Sequence, residues 1–164
     1  MIERITDKYV FFWNGIFSNW QPAIFEYKDH RFENSEQAFM WEKALAFDDK
    51  DIANKILLNS DPRKTKGLGR KVKNFDADKW EKVSLDIMIE VNMEKFSQNP
   101  RMEKHLLSTN DKIIVEASPY DKIWGIGLHQ DDDRVLDESQ WDGLNKLGIA
   151  LMEVRTKMNE RKYD

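Results

Sequence analysis

Asn34-Ser35-Glu36-Gln37-Ala38-Phe39-Met40-Trp41-Glu42-Lys43-Ala44 joins a helix start, an apolar body and two groups capable of chemistry. Asn34 is a favourable N-cap, since its side-chain oxygen can accept a first-turn amide, and Gln37 three positions later completes a capping-box pattern. Glu36 then falls in the first turn, where unpaired amides and the positive end of the helix dipole favour its ionised form. Lys43 follows nearly two turns later, on the same face about 10 Å further along the axis, with Met40 between. Two readings follow from this spacing. Either Phe39, Met40, Trp41, Ala44 and Leu45 are core and Glu36 merely decorates the helix start, or the Glu36–Lys43 face is the spine of a reactive site.

Working outward, the upstream chain delivers this helix from β structure. Tyr9-Val10-Phe11-Phe12-Trp13 has the β-branched and aromatic content of a buried strand, ended by Asn14-Gly15. After Ser18-Asn19-Trp20 and Pro22, the residues Ile24, Phe25 and Tyr27, then Asp29-His30 and Arg31-Phe32, read as a short hairpin. Downstream, Asp48, Asp49 and Asp51 interrupt the helix, and Ile52, Ala53, Ile56 and Leu57 mark a second, short one. Asp61-Pro62 is a cap followed by proline at the first helical position. The run from Arg63 to Lys73 is strongly cationic, with Arg63, Lys64, Lys66, Arg70, Lys71 and Lys73 broken by Gly67 and Gly69. Flexible glycines beside cations would let backbone amides approach phosphate oxygens, with arginine as a bidentate fork, although such a run also suits a solvated face.

From Asp78 to about Ser97, Trp80, Val83, Ile87 and Val91 form one stripe of a long helix, widened by Leu85, Met88, Ile89, Met93 and Phe96. Asn99-Pro100 restarts a helix that carries Leu106 and Leu107 to a turn at Thr109-Asn110-Asp111. Lys112 to Ala117 reads as a strand. Leu144, Leu147, Leu151, Val154 and Met158 stripe a last helix, with Gly143 and Gly148 permitting close approach of a neighbour.

The 164 residues suit a single domain, 1–164, with a real core. A formal charge of −4 does not indicate a broad nucleic-acid surface, although local basic patches remain. Without cysteine there is no disulfide, thiolate metal site or cysteine nucleophile; His30, His105 and His129 lack ligand-like spacing, so no metal is expected. No apolar run approaches membrane-spanning length and the N-terminus is too charged for a signal peptide, which together predict a cytoplasmic protein.

The second dense constellation is Glu116-Ala117-Ser118-Pro119-Tyr120-Asp121-Lys122-Ile123-Trp124-Gly125-Ile126-Gly127. Its tryptophan beside two glycines would admit a flat ligand or phosphate to the backbone; a tight turn with a core tryptophan reads equally well. Ser18-Asn19-Trp20, Asn34-Ser35-Glu36-Gln37, Lys43-Ala44, Gly67-Leu68-Gly69-Arg70, Trp80, Lys95-Phe96, Glu116-Ala117-Ser118-Pro119, Asp121, Trp124-Gly125-Ile126-Gly127 and Asn145-x-Leu147-Gly148, in that order, resemble the NADAR or YbiA-like family over nearly the whole chain. Many family members carry histidine where Gln37 stands; glutamine can hydrogen-bond there but not shuttle a proton.

The resemblance implies an α+β fold, a predominantly helical single domain with a small sheet, and an N-glycosidase acting on ribosylated amines. Two substrate classes are implied: ADP-ribose on the guanine amino group, including ADP-ribosylated nucleic acid, and phosphorylated ribosylamine intermediates of riboflavin synthesis. On the matching positions Glu36, Lys43 and Asp121 are the catalytic candidates. Asn19, Trp20, Arg70, Lys71, Glu116, Ser118, Trp124, Gly125 and Gly127 are the substrate-binding ones. One route uses Glu36 for proton transfer or charge stabilisation, with Asp121 or Glu116 as a second carboxylate, Trp124 stacking on the base and Arg70 with Lys71 holding phosphate. The other has Lys43 form a Schiff base. Neither requires a cofactor. A module that only binds ADP-ribose or a related nucleotide, and a purely structural helical protein, are the competing readings.

Overall fold

The computed structural model describes residues 2–161. In chain order these form β1 (Glu3–Ile5), β2 (Tyr9–Phe12), β3 (Phe25–Tyr27), β4 (His30–Phe32), α1 (Ser35–Ala46), α2 (Lys50–Leu57), α3 (Pro62–Gly69), α4 (Ala77–Ser97), α5 (Pro100–Leu107), β5 (Ile113–Glu116) and α6 (Lys146–Arg161). Two short 3-10 turns, Asp133–Leu136 and Glu138–Gln140, precede α6. The class is α+β and mostly helical, as the sequence predicts. None of the described helices is long and apolar enough to cross a membrane. The chain forms two compact units, residues 19–99 and the flanking segments 1–18 with 100–164.

In the flanking unit, β2 is the central strand of a β1-β2-β5 sheet, antiparallel to β1 and parallel to β5 with Tyr9 opposite Ile113 and Phe12 opposite Glu116. All four of its residues are buried, which is why it reads as an unbroken apolar run rather than an alternating one. Tyr9, Phe11, Val115, Ala117, Ile126, Leu128 and Val135 form a core cluster. Leu147, Ala150, Leu151, Val154 and Met158 form the buried stripe of α6. Leu144 does not belong to that stripe: it precedes the helix and is largely exposed.

Gly148 lies so close to β5 that a Cβ there would overlap the Ile114 carbonyl oxygen and the Asn145 amide. Asn145, in the left-handed region at φ 53°, accepts from Glu116 N at 3.0 Å and donates to Ile114 O at 3.0 Å, fixing α6 to the strand. Gly148→Ala must push helix and strand apart, and overpacking of this kind costs roughly 1–3 kcal/mol, or several degrees of Tm. A thermal melt that matched wild type would show that the contact is looser than described.

In the 19–99 unit, the hairpin pairs Phe25 with Phe32 and Tyr27 with His30; Lys28 and Asp29 both take positive φ, the geometry of a tight two-residue connection. α1 is buried on nearly every side, from Ser35 to Glu42 and again at Ala44. Asn34 caps it as expected, accepting from Gln37 N at 2.8 Å. Gln37 departs from the standard box: its Oε1 accepts from Glu33 N at 2.9 Å, one residue earlier, and its Nε2 donates to Ile56 O at 3.0 Å. It thus pins the head of α1 to the end of α2. Asp49, Asp61 and Asp76 cap α2, α3 and α4.

The buried face of α4 differs from the predicted stripe. Ser84, Met88, Val91, Asn92, Lys95 and Phe96 point inward, whereas Val83 is 42% exposed. α4 carries apolar residues around more than half its circumference, so periodicity established a helix but not which side is buried. Asn99 uses its amide as a donor, to Ile24 O and Lys95 O, rather than its oxygen as a cap.

Candidate active site

Glu36 sits in the first turn of α1 and is 9% exposed. Its N–H donates to Asn19 O at 3.0 Å, so a backbone bond ties the Ser18-Asn19-Trp20 segment to the head of the helix. Asn19 Nδ2 approaches Met88 Sδ at 3.5 Å, and Lys66 Nζ lies 6.0 Å over the partly exposed Trp20 ring.

Lys43 is half-buried, and its amine is pulled below the ordinary lysine value. Burial is the largest cause; the Glu36 carboxylate pushes the other way, and the Arg70 guanidinium adds to the lowering. Glu36 and Arg70 are therefore each within electrostatic reach of Lys43. The sequence explains how Arg70 gets there. Gly69, the last residue of α3, faces Met40 between Glu36 and Lys43, and a Cβ at that position would collide with the Met40 sulfur. Lacking one, the end of α3 closes onto α1 and the next residue is carried to Lys43. The ammonium also faces the Phe75 ring, 4.5 Å from its centroid.

The expected phosphate-cradling glycine loop is not present. Gly67 and Gly69 lie inside α3, and the amides of Arg70 and Lys71 bond to Lys66 O and Leu68 O. Asp61 and Pro62 start a helix strong enough to carry two glycines. Arg70 and exposed Lys71 can offer phosphate their side chains, not their backbone.

In the flanking unit, Glu116, Ser118, Asp121, Trp124, Gly125 and Gly127 fold into one turn. Asp121 Oδ1 accepts from Ile123 N at 2.9 Å and Trp124 N at 2.8 Å, its carbonyl from Gly127 N, and the Glu116 carbonyl from Ile126 N. Ser118 Oγ accepts from Tyr120 N at 3.2 Å. A Cβ on Gly125 would press on Asp121 O and Glu116 O, and Gly127 has φ +70° against Asp142 O. The two glycines thus serve the turn's own packing; ligand access to the backbone, the alternative read from the sequence, is taken up by protein atoms. One oxygen of Asp121 is likewise engaged in holding the turn.

Sequence reasoning passed over the polar face of α4. Lys95 is 0% exposed, and burial brings its amine down to about 7. Asn92, also fully buried, donates to Met88 O at 2.9 Å, and Ser35 Oγ lies 3.5 Å from its Oδ1. The four-residue spacing of Ser84, Met88, Asn92 and Phe96 was the available signal. A groove of about 460 Å³ in the flanking unit is lined by Glu3, Arg4, Trp13, Asn14, His129 and Gln130 among others, and none of the sequence-predicted site residues contributes to it. Among the described residues, no three acidic or histidine side chains gather as a metal would need.

Residues 11–159 match the family model of the NADAR domain. The chain is 45% identical over 163 residues to a protein of Acanthamoeba polyphaga mimivirus named as an N-glycosidase, spanning 92% of this chain and 96% of that one. It is 30% identical over 156 residues to the chloroplastic riboflavin biosynthesis protein PYRR of Zea mays, spanning 88% of this chain but 23% of the other. Among solved structures, the NMR structure of the Escherichia coli protein YbiA superposes with a TM-score of 0.80 at 25% identity, covering 100% of this chain and 92% of that one.

Proposed function

This chain belongs to the NADAR family, and from that we propose that it is an N-glycosidase hydrolysing the bond between ribose and an exocyclic amine. The substrate is ADP-ribose carried on a guanine amino group, free or in nucleic acid, or a phosphorylated ribosylamine of riboflavin synthesis. The two share the reacting atoms: a ribosyl carbon bonded to an exocyclic nitrogen. The observation that carries the reading is the cluster of Glu36, Lys43 and Arg70, in which a lysine amine is held below its ordinary pKa beside a buried carboxylate.

In the favoured route the ribose opens to an imine and the neutral Lys43 amine adds to its C1. The C1–N bond to the base breaks as that nitrogen takes a proton, which leaves C1 doubly bonded to Nζ. Water then adds to C1 and the lysine departs, so the net reaction consumes one water and releases sugar and amine. Glu36 moves the protons, first taking one from the Lys43 nitrogen once it has bonded to C1 and then giving it to the leaving nitrogen. Arg70 and Lys71 hold phosphate through their side chains. Asn19 and Trp20 shape the binding surface.

The test sets a guanine-ADP-ribosylated oligonucleotide beside a phosphorylated ribosylamine of the riboflavin pathway and follows release of the amine. One of them is turned over, and borohydride added during turnover traps a sugar on Lys43, read by peptide mass spectrometry. Turnover with no adduct, and with Lys43→Ala still active, removes the Schiff base and leaves a Glu36-led hydrolysis. ADP-ribose binding with no release from either substrate would make the chain a binding module.

A further inference from the structure

The segment between α3 and α4 is fixed at both ends of a two-residue span. Lys73 N–H donates to Oδ2 of buried Asp49 at 2.9 Å, while Oδ1 of the same carboxylate accepts from Ile52 N. Asp76 caps α4 through the amides of Asp78 and Lys79. Between them, Asn74 turns the chain through the left-handed region at φ 58°. That geometry sets Phe75 in place without burying it: the residue is 47% exposed, and its ring lies 5.3 Å from Phe47 at 67°. Phe47 in turn meets Trp80, and Trp80 meets Phe39, so Phe75 is the outer end of an aromatic row. An exposed phenylalanine gains little from hydrophobic burial. What it does have is the Lys43 ammonium on its ring, with Nζ 4.5 Å from the centroid.

We propose that Phe75 is a positioning residue for Lys43, seating the amine against its ring and shielding it from water. This rests on the reading of Lys43 as the nucleophile. The ring acts in two opposed ways. Its bulk keeps water from the amine and so favours the neutral form, in keeping with burial as the main cause of the depressed Lys43 pKa. Its negative face attracts the ammonium and favours the charged form. Leucine keeps most of the bulk and loses the face; alanine loses both.

The variants Phe75→Leu, Phe75→Ala and Phe75→Tyr separate these actions. The Lys43 pKa is read on the intact protein from the pH dependence of acetic anhydride labelling, resolved by peptide mass spectrometry, so no substrate is needed. Phe75→Leu lowers it by about half a pH unit, the size of a cation–π contact at a partly exposed site. Phe75→Ala lies above Phe75→Leu because water returns, and Phe75→Tyr stays with wild type. In turnover, kcat shifts its rising limb in the same order while KM changes little. If Leu and Ala both keep the wild-type labelling pKa, the proposal is overturned. If labelling follows the expected order but no variant, wild type included, turns over substrate, the placement of Phe75 stands and the glycosidase reading fails.

Discussion

Glu36→Gln lowers turnover at least about 100-fold, the usual scale for losing a positioned proton carrier, with an unchanged far-UV circular dichroism spectrum. Glutamine has the size and shape of glutamate, and the backbone bond from the Glu36 N–H to Asn19 O is kept in the variant. The cap from Asn34 and the bonds of Gln37 to Glu33 and Ile56 are equally independent of the carboxylate. Residual activity carries further information. Glu36 raises the Lys43 pKa, so removing its charge lets burial and Arg70 lower that amine further. The rising limb of any remaining activity therefore moves to lower pH. A folded Glu36→Gln enzyme with wild-type turnover would remove Glu36 from the chemistry.

Lys95 gives the second large effect, on stability. Burial holds its amine at about 7 in the folded protein, against 10.5 in the unfolded chain. Between those values the unfolded chain carries a proton that the folded one lacks, so raising the pH favours folding, by up to about 1.4 kcal/mol per unit. Below about 7 both states are protonated and the slope disappears. Urea unfolding of wild type and Lys95→Met at pH 7 and pH 9 isolates this residue from the other lysines. The wild-type stability rises relative to the variant by up to about 2–3 kcal/mol over that interval. Parallel pH dependences would show that Lys95 keeps an ordinary pKa and is reached by water.

Helix starts were the most legible part of this chain because their signals are local. Asn34, Asp61 and the Asp48–Asp51 run each specify a backbone bond within three residues, and the helices begin where those bonds form. The strand at Tyr9–Phe12 and the Phe25–Phe32 hairpin were legible for the same reason. What the sequence could not display depends on partners far along the chain. Gly67 and Gly69 looked like a loop because glycine weakens a helix, yet Gly69 is needed for the approach of α3 to Met40. Val83 looked inward, since valine ranks high in hydropathy; the inward side of α4 instead carries Ser84, Asn92 and Lys95 beside its apolar residues. Of the site, the Glu36 and Lys43 face was readable from spacing, whereas Arg70 was placed by the glycine before it. Phe75 had no signal at all, because its position follows from the Asp49 clamp on Lys73.

The pairing of β2 with β5 has a consequence for how the polypeptide is made. Strand 9–12 leaves the ribosome early, but its parallel neighbour is not synthesised until residues 113–116. The continuous 19–99 stretch, with its hairpin and four helices, is complete before then and can consolidate by itself. The β2–β5 pairing is a late event with a long loop to close. Until it forms, Tyr9-Val10-Phe11-Phe12 has only β1 beside it, and its other edge is open and apolar, an aggregation hazard for the nascent chain.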